Sequence, residues 1–249
     1  MLRSLFRRSR PSSPRVPDGC RVYAIGDIHG CDAQFAALLD RIEADHAARG
    51  PATRVTILLG DLVDRGPDSA GVVARAMRLA ASGERVHQLS GNHEEILLAA
   101  CDGDTDMLRL FARVGGRETL LSYGVDEATY EQADYPELRH LLDRGVPRAH
   151  RDFLAAMEPY AVVGDYAFVH AGILPGVPLA EQKLGDLRWI RSRFLNHTSP
   201  HEKFVIHGHT ITERVDERPN RLGIDTGAFA TGRLTAVGLE GEARWFLQT

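Results

Sequence analysis

The run Val22-Tyr23-Ala24-Ile25-Gly26-Asp27-Ile28-His29-Gly30 decides how this chain is read. An apolar, β-prone stretch ends in glycine, then a carboxylate and an imidazole two residues apart precede a second glycine. A buried strand would deliver Asp27 and His29 to the mouth of a sheet, with the glycines letting the backbone bend. The design recurs twice. Val55-Thr56-Ile57-Leu58-Leu59-Gly60 runs into Asp61, and Val86-His87-Gln88-Leu89-Ser90-Gly91 runs into Asn92-His93-Glu94. Three strands that end in glycine and then in oxygen or nitrogen donors point to one shared metal site.

Between these strands the pattern is helical. From Asp32, a candidate N-cap, Phe35, Leu38, Leu39 and Ile42 repeat at helical spacing, and Ser69 opens a second such run through Val72, Val73 and Ala76. Strand, helix, strand, helix, strand predicts parallel strands with right-handed crossovers, and ligands collect beyond the carboxyl ends of such strands. Residues 101–159 lack a ligand-like cluster and show only helical spacing (Leu108, Phe111; Leu138, Leu142; Phe153, Met157), so a helical insertion is expected there. From Tyr160 strands return: a hairpin leading into His170-Ala171-Gly172, then Phe204-Val205-Ile206 leading into His207-Gly208-His209-Thr210, then closing strands to the end. The expected fold class is α/β (α+β), two packed mixed β-sheets flanked by helices, in a single domain over 18–249.

Composition sets bounds. The 249 residues, 43% hydrophobic and 26% charged with a formal net charge of −4, give no global case for nucleic-acid binding. Arginine supplies nearly all the basic residues and suits phosphate recognition. Cys20, Cys31 and Cys101, odd in number and without paired spacing, fit a reducing compartment, so a cytoplasmic location is expected. No apolar run approaches the roughly 20 residues of a membrane span, and no membrane partner is expected. Residues 1–17, with five arginines among serines and prolines and no apolar core, read as a disordered basic tail.

The candidate ligands are Asp27, His29, Asp61, Asn92, His170 and His209, each after an apolar strand-like run. Carboxylate, amide and imidazole donors without thiolates suit manganese, iron, zinc or cobalt. Six ligands are too many for one open catalytic ion and about right for two, which need a bridging carboxylate; Asp61 is the natural bridge.

Gly26-Asp27-Ile28-His29-Gly30, Gly60-Asp61-Leu62-Val63-Asp64-Arg65-Gly66 and Gly91-Asn92-His93-Glu94 resemble the three signatures of the calcineurin-like metallophosphoesterases. The Asp64-Arg65-Gly66 extension is similar to the phosphoprotein phosphatase branch of bacterial type, and His170-Ala171-Gly172 and Gly208-His209-Thr210 to its two later histidine motifs. The resemblance implies the metallophosphoesterase sandwich and two divalent ions, manganese first, iron or zinc as alternatives. It implies that Asp27 and His29 hold the first ion, Asp61 bridges, and Asn92, His170 and His209 hold the second. His93 would be the general acid, oriented by Asp64. Arg65 and Arg191 would grip the phosphate, with Asn92 and His93 also facing substrate, while a metal-bridging hydroxide attacks phosphorus in line. Arg193 rivals Arg191. Glu94 is expected to cap the next helix, His207 to be structural, Asp225 to shape the site floor, and Trp189 to be core. The branch implies a metal-dependent phosphatase acting on phosphate monoesters, expected to be a serine/threonine protein phosphatase with a phosphorylated protein or small phosphoester as substrate. The alternative is a symmetrical dinucleoside tetraphosphate hydrolase. A non-catalytic scaffold is the remote alternative, since no ligand and no His93 is lost.

Overall fold

The computed structural model describes residues 13–249. In chain order the first half is β1 (Cys20–Ile25), α1 (Asp32–Ala48), β2 (Thr53–Leu58), α2 (Ser69–Ala80), β3 (Arg85–Gln88) and α3 (Asn92–Cys101). Five helices follow: α4 (Thr105–Val114), α5 (Gly116–Ser122), α6 (Glu127–Gln132), α7 (Tyr135–Gly145) and α8 (Arg148–Ala155). The second half is β4 (Tyr160–Val163), β5 (Tyr166–Val169), α9 (Leu184–Trp189), α10 (Ser192–Leu195), β6 (Phe204–His207), β7 (Asp216–Glu217), β8 (Arg221–Gly223), α11 (Ala228–Thr231), β9 (Thr235–Glu240) and β10 (Ala243–Gln248). These form two five-stranded mixed sheets, ordered β10-β9-β1-β2-β3 and β4-β5-β6-β8-β7. β1, β2 and β3 are parallel, as are β5, β6 and β8, with antiparallel strands at the edges.

Alternation along the strands builds the layers, because successive side chains point to opposite faces. Val22 and Ala24 of β1 face the second sheet, where Phe168, Ile206 and Leu222 meet them. Tyr23 and Ile25 face the helices and pack with Phe35, Leu38, Val72 and Ile96. In β5, Tyr166 and Phe168 point inward while Ala167 and Val169 pack outward on Leu187, Ile190 and Phe194. Both faces of the central strands are thus covered, and the carboxyl ends of the parallel strands lead to the Asp61, His170 and His209 cluster.

The insertion is helical, as expected, and it is not a separate body. Phe111, Leu120, Leu138 and Leu142 share one apolar cluster with Phe35, Ile25 and Leu97. The two final strands return to the first sheet, where β9 pairs antiparallel with β1 (Val22 opposite Leu239). Pairing across more than 200 residues is a tertiary choice that no local pattern encodes.

Of the expected tail, residues 1–12 lie outside the described residues. Residues 13–17 lie against the sheets: Val16 is fully buried, its N–H donates to Gly241 O (3.0 Å), and the Tyr166 hydroxyl donates to Pro14 O (3.1 Å). Asp32 is the first residue of α1 and not its cap. Its carboxylate accepts both Nε and Nη2 of Arg75 at 2.6 and 2.7 Å, tying α1 to α2. The three cysteines are free thiols, and no described helix is long and apolar enough to cross a membrane.

Because Phe111 is part of the common core, Phe111→Ala should cost about 3–5 kcal/mol of stability. Urea unfolding should keep one transition, shifted to a lower midpoint; two separated transitions would show that the insertion folds independently.

Candidate metal centre

Asp61 sits just beyond β2 with a left-handed backbone (φ +50°). Its loop is fastened from both sides. The buried Glu94 carboxylate accepts N–H groups from Asp61 (2.9 Å), Leu62 (2.7 Å) and Gly91 (2.8 Å). Asp61 O accepts from the N–H groups of Ile28 and His29, which locks the β1 loop to the β2 loop. Glu94 therefore caps α3, as expected, and also anchors Asp61. Asp61 Oδ1 accepts the His93 N–H (3.0 Å) and lies 3.4 Å from His170 Nε2, while Oδ2 lies 3.4 Å from His29 Nε2 and 4.0 Å from His93 Nε2. One ligand atom from each of His29, Asp61 and His93 falls within a 4.8 Å group, and one from each of Asp61, His170 and His209 forms another. Asp61 belongs to both groups.

The residues fit divalent cations on the chemistry of their donors. His29 Nδ1 is 2.8 Å from Val63 O and His170 Nδ1 is 2.9 Å from Leu59 O. A carbonyl only accepts, so each Nδ1 carries the proton and each Nε2 offers its lone pair, the usual orienting bond of a metal-binding histidine. His170 Nε2 then faces Asn92 Oδ1 at 3.0 Å, acceptor against acceptor. His209 Nε2 is buried with no hydrogen-bond partner. Asp27 joins neither group of three. Its two oxygens accept the His209 N–H at 3.1 and 2.9 Å, beside the equally buried Asp225. The space is reserved by glycine: a Cβ at Gly91 would collide with Asp61 Oδ1, and one at Gly208 with Asp27 Oδ1.

The electrostatics agree. Burial, then the neighbouring Asp225 and Asp61, pushes the Asp27 carboxyl well above the usual carboxylate range. Burial would raise Asp61 too, but His170, His93 and His29 outweigh it and hold it down. Burial drives His29 down to about 3 and, with His170, His209 to about 2, so these rings are neutral and able to ligate. Burial and then Asp61 raise Glu94 to about 7, and burial lifts Asp225 to about 6. Carboxyls that resist ionising in a dry, shared site are what added positive charge would stabilise.

His93 and Asp64 form a buried pair, with Nδ1 donating to Oδ2 at 2.6 Å. Burial would lower His93, but Asp61 and Asp64 outweigh it and raise it. The sequence reading missed what holds Asp64. The Thr119 hydroxyl, on α5 of the insertion, donates to Asp64 Oδ1 (2.7 Å). Asp64 N–H points at Thr119 Oγ1 and Ser69 Oγ (2.9 and 3.0 Å). Arg65 N–H donates to Gly115 O, again from the insertion. Only the fold brings residue 119 to residue 64; a lone threonine on a helix carries no sequence signal.

Arg65 donates Nη1 to His29 Nε2 (3.0 Å) and Nη2 to His93 Nε2 (2.9 Å). Arg191 lies close enough for its charge to help depress His209, after burial and His170; among the described residues no side-chain hydrogen bond or ion pair joins either Arg191 or Arg193 to the cluster. Arg188 was not anticipated. Its Nη1 is 3.4 Å from Glu95 Oε2, its charge bears on His170, and its Nε is buried and unpartnered. Trp189, expected to be core, is instead 39% exposed and donates Nε1 to Glu95 Oε2 (3.0 Å). Its turn of helix buries Leu187 instead. His207 is buried with Nδ1 against Gly208 O (3.0 Å) and Nε2 against Arg221, a packing role.

A family model described as Calcineurin-like phosphoesterase matches residues 20–222. Among curated proteins, the chain is 37% identical over 156 residues to a symmetrical bis(5'-nucleosyl)-tetraphosphatase of Paracidovorax citrulli, covering 62% of this chain and 45% of the relative. It is 28% identical over 238 residues to an asymmetrical bis(5'-nucleosyl)-tetraphosphatase of Anoxybacillus flavithermus, covering 86% and 88%. The chain thus spans less than half the length of the symmetrical relative. A solved structure described as a candidate diadenosine tetraphosphatase superposes with a TM-score of 0.64 at 21% identity, over 95% of this chain and 98% of that one. The expectation of a serine/threonine protein phosphatase is corrected here: the curated relatives at 32–37% identity are dinucleoside tetraphosphatases. The motifs that suggested it lie at the candidate metal centre and carry no residue that reads the rest of a substrate.

If Thr119 positions Asp64, Thr119→Val should lower kcat roughly tenfold on phenyl phosphate, whose leaving group needs a proton, and much less on p-nitrophenyl phosphate. Thr119→Ser should restore it. Equal losses on both substrates would assign Thr119 to packing alone.

Proposed function

Since the chain belongs to the calcineurin-like phosphoesterases, with the family model matching residues 20–222, we propose that it hydrolyses dinucleoside tetraphosphates, cleaving the phosphate chain symmetrically. The observation that carries this is the 37% identity to a symmetrical bis(5'-nucleosyl)-tetraphosphatase. A specific observation also favours asymmetrical cleavage: the relative matched over nearly its whole length, 88%, is an asymmetrical enzyme. The small phosphoester substrate takes the place of a phosphoprotein, and the cytoplasm, where three free thiols would persist, is the proposed location.

In this proposal His29 and Asp27 hold one ion, Asn92, His170 and His209 the other, and Asp61 both. Manganese is put first because half of these donors are oxygen. Two such ions, when bound, would supply Lewis acidity and lower the pKa of a water. The chain supplies the rest. Arg65 at His29 and His93, and Arg188 and Arg191 on the His170 and His209 side, offer planar forks for phosphate oxygens. His93 Nδ1 is bound to Asp64 and Nε2 faces the cluster, where Arg65 now donates to it; with Arg65 turned onto a substrate phosphate, Nε2 is free to carry a proton to the leaving phosphate oxygen. Asp64, buried and held by Thr119, fixes that ring and stabilises its charge.

Chromatography of products from diadenosine tetraphosphate tests the reading. Two ADP are expected; ATP with AMP would instead establish asymmetrical cleavage, and an intact substrate alongside a dephosphorylated phosphoserine peptide would overturn both. Chelation should abolish turnover and manganese restore it. Asp61→Asn should lower kcat by at least about 10³-fold and weaken binding of both ions, read by metal analysis after dialysis. Near-normal activity would end the bridging role.

A further inference from the structure

α11 is a single turn entered through Gly227 (φ +68°) and left through Gly232 (φ +72°). It is stiffly held. Ala228 is buried beneath it, Thr231 Oγ1 donates to Thr226 O (2.9 Å) and Gly227 O (3.0 Å), and Thr226 Oγ1 bonds Arg233 O and Thr235. On this turn Phe229 is 37% exposed, yet its ring is fixed against the centre. It lies edge-on to the His29 ring, with centroids 5.5 Å apart and planes at 85°. The Arg65 guanidinium carbon is 5.0 Å from the ring centroid. Beside it, Ile211 is 45% exposed and packs on Gly227, where an added Cβ would come within 3.0 Å of Ile211 Cγ2. Exposed apolar residues scattered singly need no explanation. These two stand on and beside the same turn, next to a cluster whose other residues are charged or polar.

We propose that Phe229, flanked by Ile211, is a stacking platform for a nucleobase of the substrate, a further binding subsite on the His29 side of the centre. The inference rests on the dinucleoside tetraphosphate reading and supplies what that reading lacks, namely a group that recognises a nucleoside. Arg65 connects the two. A phosphate held by its guanidinium carries its nucleoside past the ring packed on that same guanidinium. Bases stack on aromatic rings regardless of sequence, which suits a substrate with a purine at an end of a phosphate chain.

Titration calorimetry with ADP and with pyrophosphate on the manganese-loaded protein separates stacking from phosphate grip. The wild type should bind ADP about tenfold more tightly than pyrophosphate, within the range that one stacked base contributes. Phe229→Ala should erase that preference while leaving pyrophosphate affinity in place, and Phe229→Trp should keep it. Equal weakening of both ligands would overturn the platform and leave the ring as a support for Arg65. No preference in the wild type, or an intact preference in Phe229→Ala, would also overturn it. If the preference behaves as expected but diadenosine tetraphosphate is not cleaved, the platform stands and the substrate reading falls.

Discussion

Asp61 is a carboxylate held out of water between two groups of histidines, and the surrounding structure is arranged to tolerate it. Its two oxygens reach toward His29 and His93 on one side and toward His170 on the other. Its backbone is tied to Glu94 and to the β1 loop. An isolated buried carboxylate would take up a proton. Here His93, raised by its two carboxylate neighbours, and its backbone N–H favour the ionised form, while the neighbouring Asp27 and Asp225 hold raised affinities for protons. Such a balance favours a site completed by cations.

The same place concentrates backbone strain. Among the described residues, five that are not glycine have positive φ: His29, Asp61, Asp64, Arg65 and His209. All five belong to the cluster. Each such conformation costs about 1–3 kcal/mol and persists only where its surroundings dictate it. The dictating contacts are specific: Glu94 for Asp61, Thr119 and Gly115 for Asp64 and Arg65, and Asp27 for His209. Two sheets buried on both faces provide a frame stiff enough to hold these turns.

The helical insertion is part of that frame. It shares its core with α1, α2 and α3 and sends Thr119 and Gly115 to the Asp64-Arg65 turn. Around the candidate metal centre stand Arg188, whose charge bears on His170, and Phe229, edge-on to His29. The motifs that carry the family resemblance lie at that centre, and they do not distinguish a phosphoprotein from a dinucleoside tetraphosphate.

Local sequence determined the parallel strands, the helices between them and the donors at strand ends, because alternation, helical spacing and a glycine before each donor are properties of neighbouring residues. Asp61, His29, Asn92, His170 and His209 are brought together from positions legible in that pattern. Tertiary structure alone decided that β9 returns to β1 with β10 beside it, that Val16 is buried, and that Arg188 and Phe229 stand near the centre. It also set Thr119 under Asp64, 55 residues away. Those outcomes depend on which surfaces meet across long separations in the chain, and no spacing of residues along a strand or helix records them.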